Sequence, residues 1–367
     1  MRRTISRYVG KSYLATFVTI LLALVTVFLV IDFVDRAKNY TGDAWLRDVL
    51  TLYANKAVVV IQQLGPAALL LAAGATMSSI QKRGELTALE ALGFGWHAHL
   101  MPIGLCAVVV AVGLIGFDEW AVGPAAKRAD EISAVHFHRW GDWITYYQPK
   151  QWFRRGDRVF YLRAGEAENG FEDATILRFD AGFKLVERID AAKMAWVAGG
   201  RWRLEHVADR TFDGPAQSTL RTYDVREYEL DAPVDAFRIR KGKPEQMRLR
   251  DLLEQIDARE DVGLPTTQFL LALHNRFAYP LAGVPAAMLA VALALRPGRK
   301  STLTVAIFEG LLIAAGMWGL MVVSKTLTIS DRMPPAMAAW LPFAVLAMAA
   351  GTAWSHRERG KWTNARP

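Results

Sequence analysis

The chain has 367 residues, 52% of them hydrophobic and 22% charged; this mixture excludes an ordinary soluble domain and a uniformly apolar bundle alike, unless charge and hydrophobicity are segregated along the sequence. The formal net charge of +8 would suit a nucleic-acid partner, but the excess sits at the edges of apolar runs, where anionic lipid headgroups are the simpler partner and nucleic acid is not expected. The single cysteine, Cys106, lies inside an apolar run and excludes an internal disulfide.

The basic segment MRRTISRYVGK leads into residues 12–31, which contain no Lys, Arg, Asp or Glu. That length spans a bilayer core, and with no Ala-x-Ala pattern after it the run reads as a retained helix rather than a removed signal peptide. Residues 57–81, 91–117, 277–295 and 333–356 are equally free of charge, and 301–324 is interrupted only by Glu309. Six transmembrane helices follow. Lys and Arg gather on one side: at the N-terminus, at Lys82 and Arg83, at Arg296, Arg299 and Lys300, and in the tail at Arg357, Arg359, Lys361 and Arg366. The positive-inside rule makes that side cytoplasmic and puts both termini there.

Between the second and third runs, QKRGELTALEALGFG reads as a charged helix of about two turns at residues 82–93, with Gly93 as its left-handed stop and Glu85 near its positive end. Leu86, Leu89 and Leu92 form an apolar stripe that so short a helix cannot leave in water. Two covers remain open: the membrane surface with the flanking helices, or a groove on a cytoplasmic partner.

Residues 118–261 separate the third and fourth spans, and by parity they lie outside the cytoplasm. VFYLRAG, ATILRFD, FKLVERID, AAKMAWVAG, RWRLEHVADRTF and STLRTYDVREYEL are short, rich in aromatic and β-branched residues and partly alternating, with turn signals at ENG, AGG and DGP. They predict a compact antiparallel sandwich or roll, entered by a helix over 118–139 and left by an amphipathic helix over 247–260. His136 and His138 would share one face of a strand, yet no third ligand follows at a recognisable spacing and no metal is expected. No Ser/His/Asp arrangement or carboxylate pair supports an enzyme, and the chain has no Gly-x-x-x-x-Gly-Lys-Ser/Thr loop to cradle nucleotide phosphates. In the second membrane half, Glu309 is costly to bury and calls for a partner, a wet cavity or a shallow position. Arg276 has two options, pairing with Glu309 or snorkelling outward. Pro280 and Pro285 predict kinks in the fourth span.

The segment around Arg83, Glu85, Leu86 and Gly93 resembles the cytoplasmic coupling helix of the lipopolysaccharide export permeases, the LptF/LptG family. Further matches follow in order: RYVGK at 7–11, FVDRAK at 33–38, DEWAVGP at 118–124, VFYLR and RWRLE in the β region, and MPP at 333–335. RYVGK and FVD lean toward the LptG branch.

The resemblance implies an α-helical membrane protein with a periplasmic antiparallel β jelly roll inserted between helices 3 and 4. Its divisions are residues 1–120, 121–261 and 262–358, with a cytoplasmic tail at 359–367, in the bacterial inner membrane. It implies a permease subunit that is not itself an enzyme. The subunit would pair with an LptF-like chain, be driven by an LptB-like ATPase dimer that holds the ATP and Mg, and pass lipopolysaccharide to LptC-like and LptA-like bridge proteins. No cofactor is expected on this chain. Arg83 and Glu85 would make polar contact with the ATPase, with Leu86 and Leu89 as the packing side; headgroup contact is the alternative for Arg83. Arg36 and Lys38 fall where relatives carry a basic cluster for lipid A phosphates. Asp32 departs from the Lys found there in relatives, so a solvated rim charge stands beside the phosphate reading. The first and fifth spans would line a lateral gate. Other readings of the same organisation are a permease for another envelope lipid or lipoprotein, and an envelope-bridging scaffold.

Overall fold

The computed structural model describes residues 2–40, 45–93, 97–133, 137, 151–155, 157–166, 170–180, 182–198, 201–214, 217–229, 243–261, 265–296 and 302–363. His136 and His138 lie outside them. The chain divides into a unit of residues 1–138 with 270–367 and a unit of residues 139–269.

The first unit is helical. Its elements are α1 (Arg2–Arg36), α2 (Trp45–Lys82), α3 (Glu85–Ala91), α4 (His97–Phe117), a π-helical stretch Asp118–Val122, α5 (Gly123–Ile132), then α7 (Thr267–Ala294), α8 (Leu303–Ile329) and α9 (Pro335–Thr363). Among the described residues, six helices are long and apolar enough to cross a membrane, as the uncharged runs predict. The basic N-terminal segment is helical too, and the third apolar run is broken at its start: residue 91 ends α3, and α4 begins at His97. Three of these helices stop or start on local chemistry. Gly84 and Gly93 take φ of +72° and +80° at the two ends of α3, a conformation that costs glycine little. The Thr302 hydroxyl accepts from the Val305 N–H at the start of α8, and Pro335 opens α9, where a missing N–H is harmless.

Small side chains hold the helices together. Ala68, Ala72, Ala73 and Gly74 of α2 and Ala282, Ala286, Ala287 and Ala290 of α7 are buried, which lets the backbones approach as membrane helix pairs require. A Cβ on Gly283 would meet the Pro66 Cα at 3.0 Å, and one on Gly310 would meet Leu71 Cδ2 at 2.5 Å. Hydroxyls satisfy backbone carbonyls between helices: Tyr13 of α1 donates to Leu69 O at 3.1 Å, and Tyr279 of α7 donates to Gln63 O. The latter lies one residue from the Gln62 carbonyl, which Pro66 leaves without its helical donor.

Among the described residues, the second unit carries one antiparallel sheet of six strands in sequence order: β1 (Gln151–Arg155), β2 (Arg158–Glu166), β3 (Gly170–Phe179), β4 (Leu185–Ala198), β5 (Arg201–Gly214) and β6 (Gln217–Glu229). The segments read separately as FKLVERID and AAKMAWVAG form one strand, β4. No Gly, Pro or Asn occurs from Leu185 to Ala198 to turn the chain. Besides irregularities near strand ends at Val186, Val197 and Asp213, pairing lapses at one interior residue in each of β2 to β6, and these five line up across the sheet: Arg163, Asp173, Ala192, His206 and Asp224. Asp173 and His206 each take φ of 50°. Across this crease the buried positions step by three rather than two, from Phe171 to Ala174, Ala191 to Met194 and Leu204 to Val207. Both halves of each strand thereby bury the same face around Phe160, Ile176, Ile189 and Trp202. Burial pushes the Tyr228 hydroxyl above its ordinary pKa, against the opposing field of Arg158, whose guanidinium lies 5.2 Å from the ring centre. The amphipathic helix predicted after the β region is α6 (Leu249–Asp261), where Arg259 lies over the Phe269 ring at 4.1 Å.

Candidate functional site

The seven-residue α3 hangs from α2 by Arg83 and Gly84. Arg83 Nε donates to the Ser79 carbonyl at 3.4 Å and lies 3.2 Å from Glu85 Oε1. Leu86 is only 8% exposed and belongs to the core that contains Val9, Tyr13, Ile80 and Ile103. This corrects the expectation that Leu86 packs on a partner: one face of the helix must close the chain's own core, and Leu86 sits on that face. Leu89 is half-buried, while Thr87, Ala88, Ala91 and Leu92 are exposed. The surface open to another protein is therefore Thr87, Ala88, Ala91 and Leu92, beside Arg83 and Glu85. The Leu86–Leu89–Leu92 spacing gave the stripe correctly but could not say which end of it the chain itself covers. Tyr8 was also missed as a contact. Its hydroxyl lies 3.0 Å from each Glu85 oxygen.

At the other end of α1, Asp32 gathers the charges. Its carboxylate accepts from Lys56 Nζ at 2.6 Å and the Tyr53 hydroxyl at 2.8 Å, and pairs with Arg36 Nε at 3.0 Å. Tyr40 and Tyr53 hydroxyls are 2.9 Å apart, and Phe33 stacks on Tyr40 at 5.9 Å. Arg36 is thus held by its own helix one turn back, while Lys38 is exposed in the single turn Ala37–Asn39 with no ion-pair partner among the described residues. The two cations proposed for phosphate differ: one is already neutralised and one is open. Lys56, on α2, joins this cluster from 24 positions away, a distance no local spacing reveals.

Glu309 and Arg276 do not form a site together. Arg276, 5% exposed, pairs with Asp118 at 2.5 Å and Glu119 at 3.0 Å, so the guanidinium is compensated inside the unit and does not snorkel. Glu309 lines a small cavity of about 10 Å³ with Gly74, Ala290, Leu293 and Ala294, room for one water at most. Ala290 lies fourteen residues beyond Arg276 on α7, about 21 Å along the helix, which separates the two charges. Among the described residues no group of three His, Cys, Asp or Glu is placed to hold a metal.

The model of the family described as "Lipopolysaccharide export system permease LptF/LptG" matches residues 7–356. The chain is 20% identical over 342 residues to the lipopolysaccharide export system permease protein LptG of Escherichia coli strain K12, covering 93% of this chain and 94% of that protein. It is 23% identical over 291 residues to the protein of the same name from Haemophilus influenzae, covering 77% and 78%.

Proposed function

The chain belongs to the lipopolysaccharide export permease family LptF/LptG, and from that premise we propose that it is the LptG-like subunit of an ATP-driven exporter. In this reading it sits in the bacterial inner membrane with both termini in the cytoplasm and the β domain in the periplasm. An LptF-like chain completes the transmembrane cavity. An LptB-like ATPase dimer binds ATP and Mg and grips α3, and lipopolysaccharide passes to LptC-like and LptA-like proteins through the β domain. This chain itself binds no cofactor.

The observation that carries the reading is α3: a helix too short to stand alone, set between two left-handed glycines, with one leucine anchored inward and a small apolar surface left outward. A helix of this kind suits insertion into a groove on a partner. The chain has no phosphate-binding loop of its own, so work on the lipid needs a separate nucleotide-hydrolysing subunit. The charge supply at the outer end of α1 also fits a phosphorylated lipid: Lys38 is free to donate, and Arg36 can exchange its Asp32 partner for a phosphate.

The test is purification of the intact complex in mild detergent. Retention of an ATPase subunit and bound lipopolysaccharide is expected. Arg36→Glu with Lys38→Glu is expected to lower lipopolysaccharide crosslinking to α1 by about tenfold, two charge-assisted contacts being replaced by repulsion. Crosslinking at the level of the unaltered chain would remove these residues from the lipid site.

A further inference from the structure

We propose that Tyr8 is a positioning residue that ties α3 to α1, so that force applied to α3 moves the first transmembrane helix. The proposal rests on the assignment of α3 as the contact for a nucleotide-hydrolysing partner.

Three observations carry it. The chain turns between α2 and α3 at Gly84, with φ of +72° and no side chain to pack, and a Cβ placed there would meet nothing within 4 Å. Backbone continuity with α2 therefore does not by itself fix the direction of α3, and its side-chain anchors must do so. Two such anchors are Leu86 in the core and Glu85 on Tyr8. A leucine in an apolar pocket resists withdrawal but has no preferred direction about the helix axis, whereas a phenol centred on both carboxylate oxygens has one. Arg83 is close to one of the same oxygens at 3.2 Å, which helps to aim the carboxylate.

The second observation is the packing of α1 itself. In its most apolar window only 11% of residues are buried, against 61% for α2. Burial on α1 is confined mainly to the end near Tyr8, at Val9, Tyr13 and Phe17, with Val25 further along. Beyond Phe17, residues such as Leu22, Val27, Val30 and Ile31 are exposed. Between Phe17 and the Asp32 cluster few α1 side chains are buried, so a push at the packed end is carried along the helix to the contacts that Asp32 makes with Lys56 and Tyr53 of α2.

The third is position. Tyr8 is 44% exposed, so its hydroxyl is not trapped by the core. It sits at the rim, where the ATPase partner approaching Arg83 and Glu85 would meet or reorganise the bond. The same carboxylate that offers a polar contact to the partner thus already holds α1. The RYVGK stretch acquires a role in this way: Val9 packs, Gly10 lets Cys106 Sγ approach to 3.2 Å of where a Cβ would stand, and Tyr8 reaches α3.

The experiment uses the assembled complex in lipid vesicles containing lipopolysaccharide, with Cys106→Ala and a spin label at Val27→Cys. ATP with vanadate is expected to change the oxygen accessibility of the label. Tyr8→Phe, which removes only the hydroxyl, is expected to reduce that change, and with it the lipid-stimulated ATP hydrolysis, by about fivefold while the ATPase subunit remains bound. Adding Tyr8→Phe to Glu85→Gln should have little further effect, because both act through one bond. An unchanged label response in Tyr8→Phe, additive effects of the two substitutions, or a label that does not respond in the parent complex would each overturn the proposal. A parent chain that retains no ATPase would instead overturn the assignment of α3 on which it rests.

Discussion

The helices α1 and α8 are at least as apolar as α2 and α7, yet they are the least buried within the chain. The fraction buried in the most apolar window is 11% and 17% for α1 and α8, and 61% and 67% for α2 and α7. The buried pair hold most of the buried small and polar residues, Gly65, Gly74 and Gly283 with Gln62, Thr76, Ser78 and Arg276, while α8 buries Gly310, Ser324 and Thr328. In water the relation runs the other way, because burial is what apolar residues gain from folding. In a bilayer the surroundings are as apolar as the side chains, so large hydrophobic residues gain nothing by turning inward. What selects the inner helices is close backbone approach and the need to keep polar groups away from lipid. Hydropathy therefore locates the six spans and, read naively, inverts their inside and outside.

The largest effect is expected where an inner helix carries a charge. Arg276→Met keeps the volume of the side chain but leaves Asp118 and Glu119 facing a neutral group in a largely enclosed place. Breaking a buried pair by removing one partner costs about 3–5 kcal/mol. A marked fall in the thermal-aggregation midpoint in detergent is the expected result, with partial recovery on adding Asp118→Asn. A midpoint equal to that of the parent would mean that the ion pairs do not hold the end of α7, and that α7 is an inner helix by packing alone.

A somewhat smaller effect is expected from packing itself. Gly283→Val places carbon where the Pro66 Cα lies 3.0 Å away and Leu69 Cδ1 2.8 Å away. The leucine can move and the backbone of α2 cannot, so the helices must separate at a cost of about 1–3 kcal/mol. The same stability assay reads it. If Gly283→Val were tolerated as well as a substitution on α8, small residues would not be what distinguishes the two groups of helices.

Much of this was open to a reader of the sequence. The six spans follow from charge-free runs, and the β domain follows from alternation and turn residues, because both signals are local. What escaped was set by contacts between distant segments. Asp32 reads as a departure from a basic position until Lys56 is seen beside it, supplied from another helix. Arg276 had one obvious carboxylate in the membrane, Glu309, and the structure gives it two at the end of α4 instead, in the DEWAVGP stretch whose resemblance was plain and whose purpose was not. The leucine stripe of α3 was legible, but Leu86 faces inward because the core ends there, and a periodic pattern carries no information about what lies on either side of it. In the sheet, β4 was split in two because its buried positions change phase near Ala192. That crease is shared by β2, β3, β5 and β6 and is invisible strand by strand.

The smallest effect is on the outer side of the comparison and turns on context. Gly319 lies in α8, next to the exposed Trp318, and a Cβ added to it would meet nothing within 4 Å. In the isolated chain, Gly319→Ala fits without a clash and replaces a poor helix former with the best one, worth about 0.5–1 kcal/mol of added stability. A small rise in the detergent midpoint is the expected outcome. In the assembled exporter the sign depends on what covers that face. Lipid tails move aside for a methyl group, so a lipid-facing Gly319 keeps the gain. A second permease chain packed backbone to backbone does not, and there the same substitution weakens subunit pairing. Measuring Gly319→Ala in both forms therefore separates an outer helix that is merely solvated by lipid from one that is exposed only because its neighbour is another polypeptide.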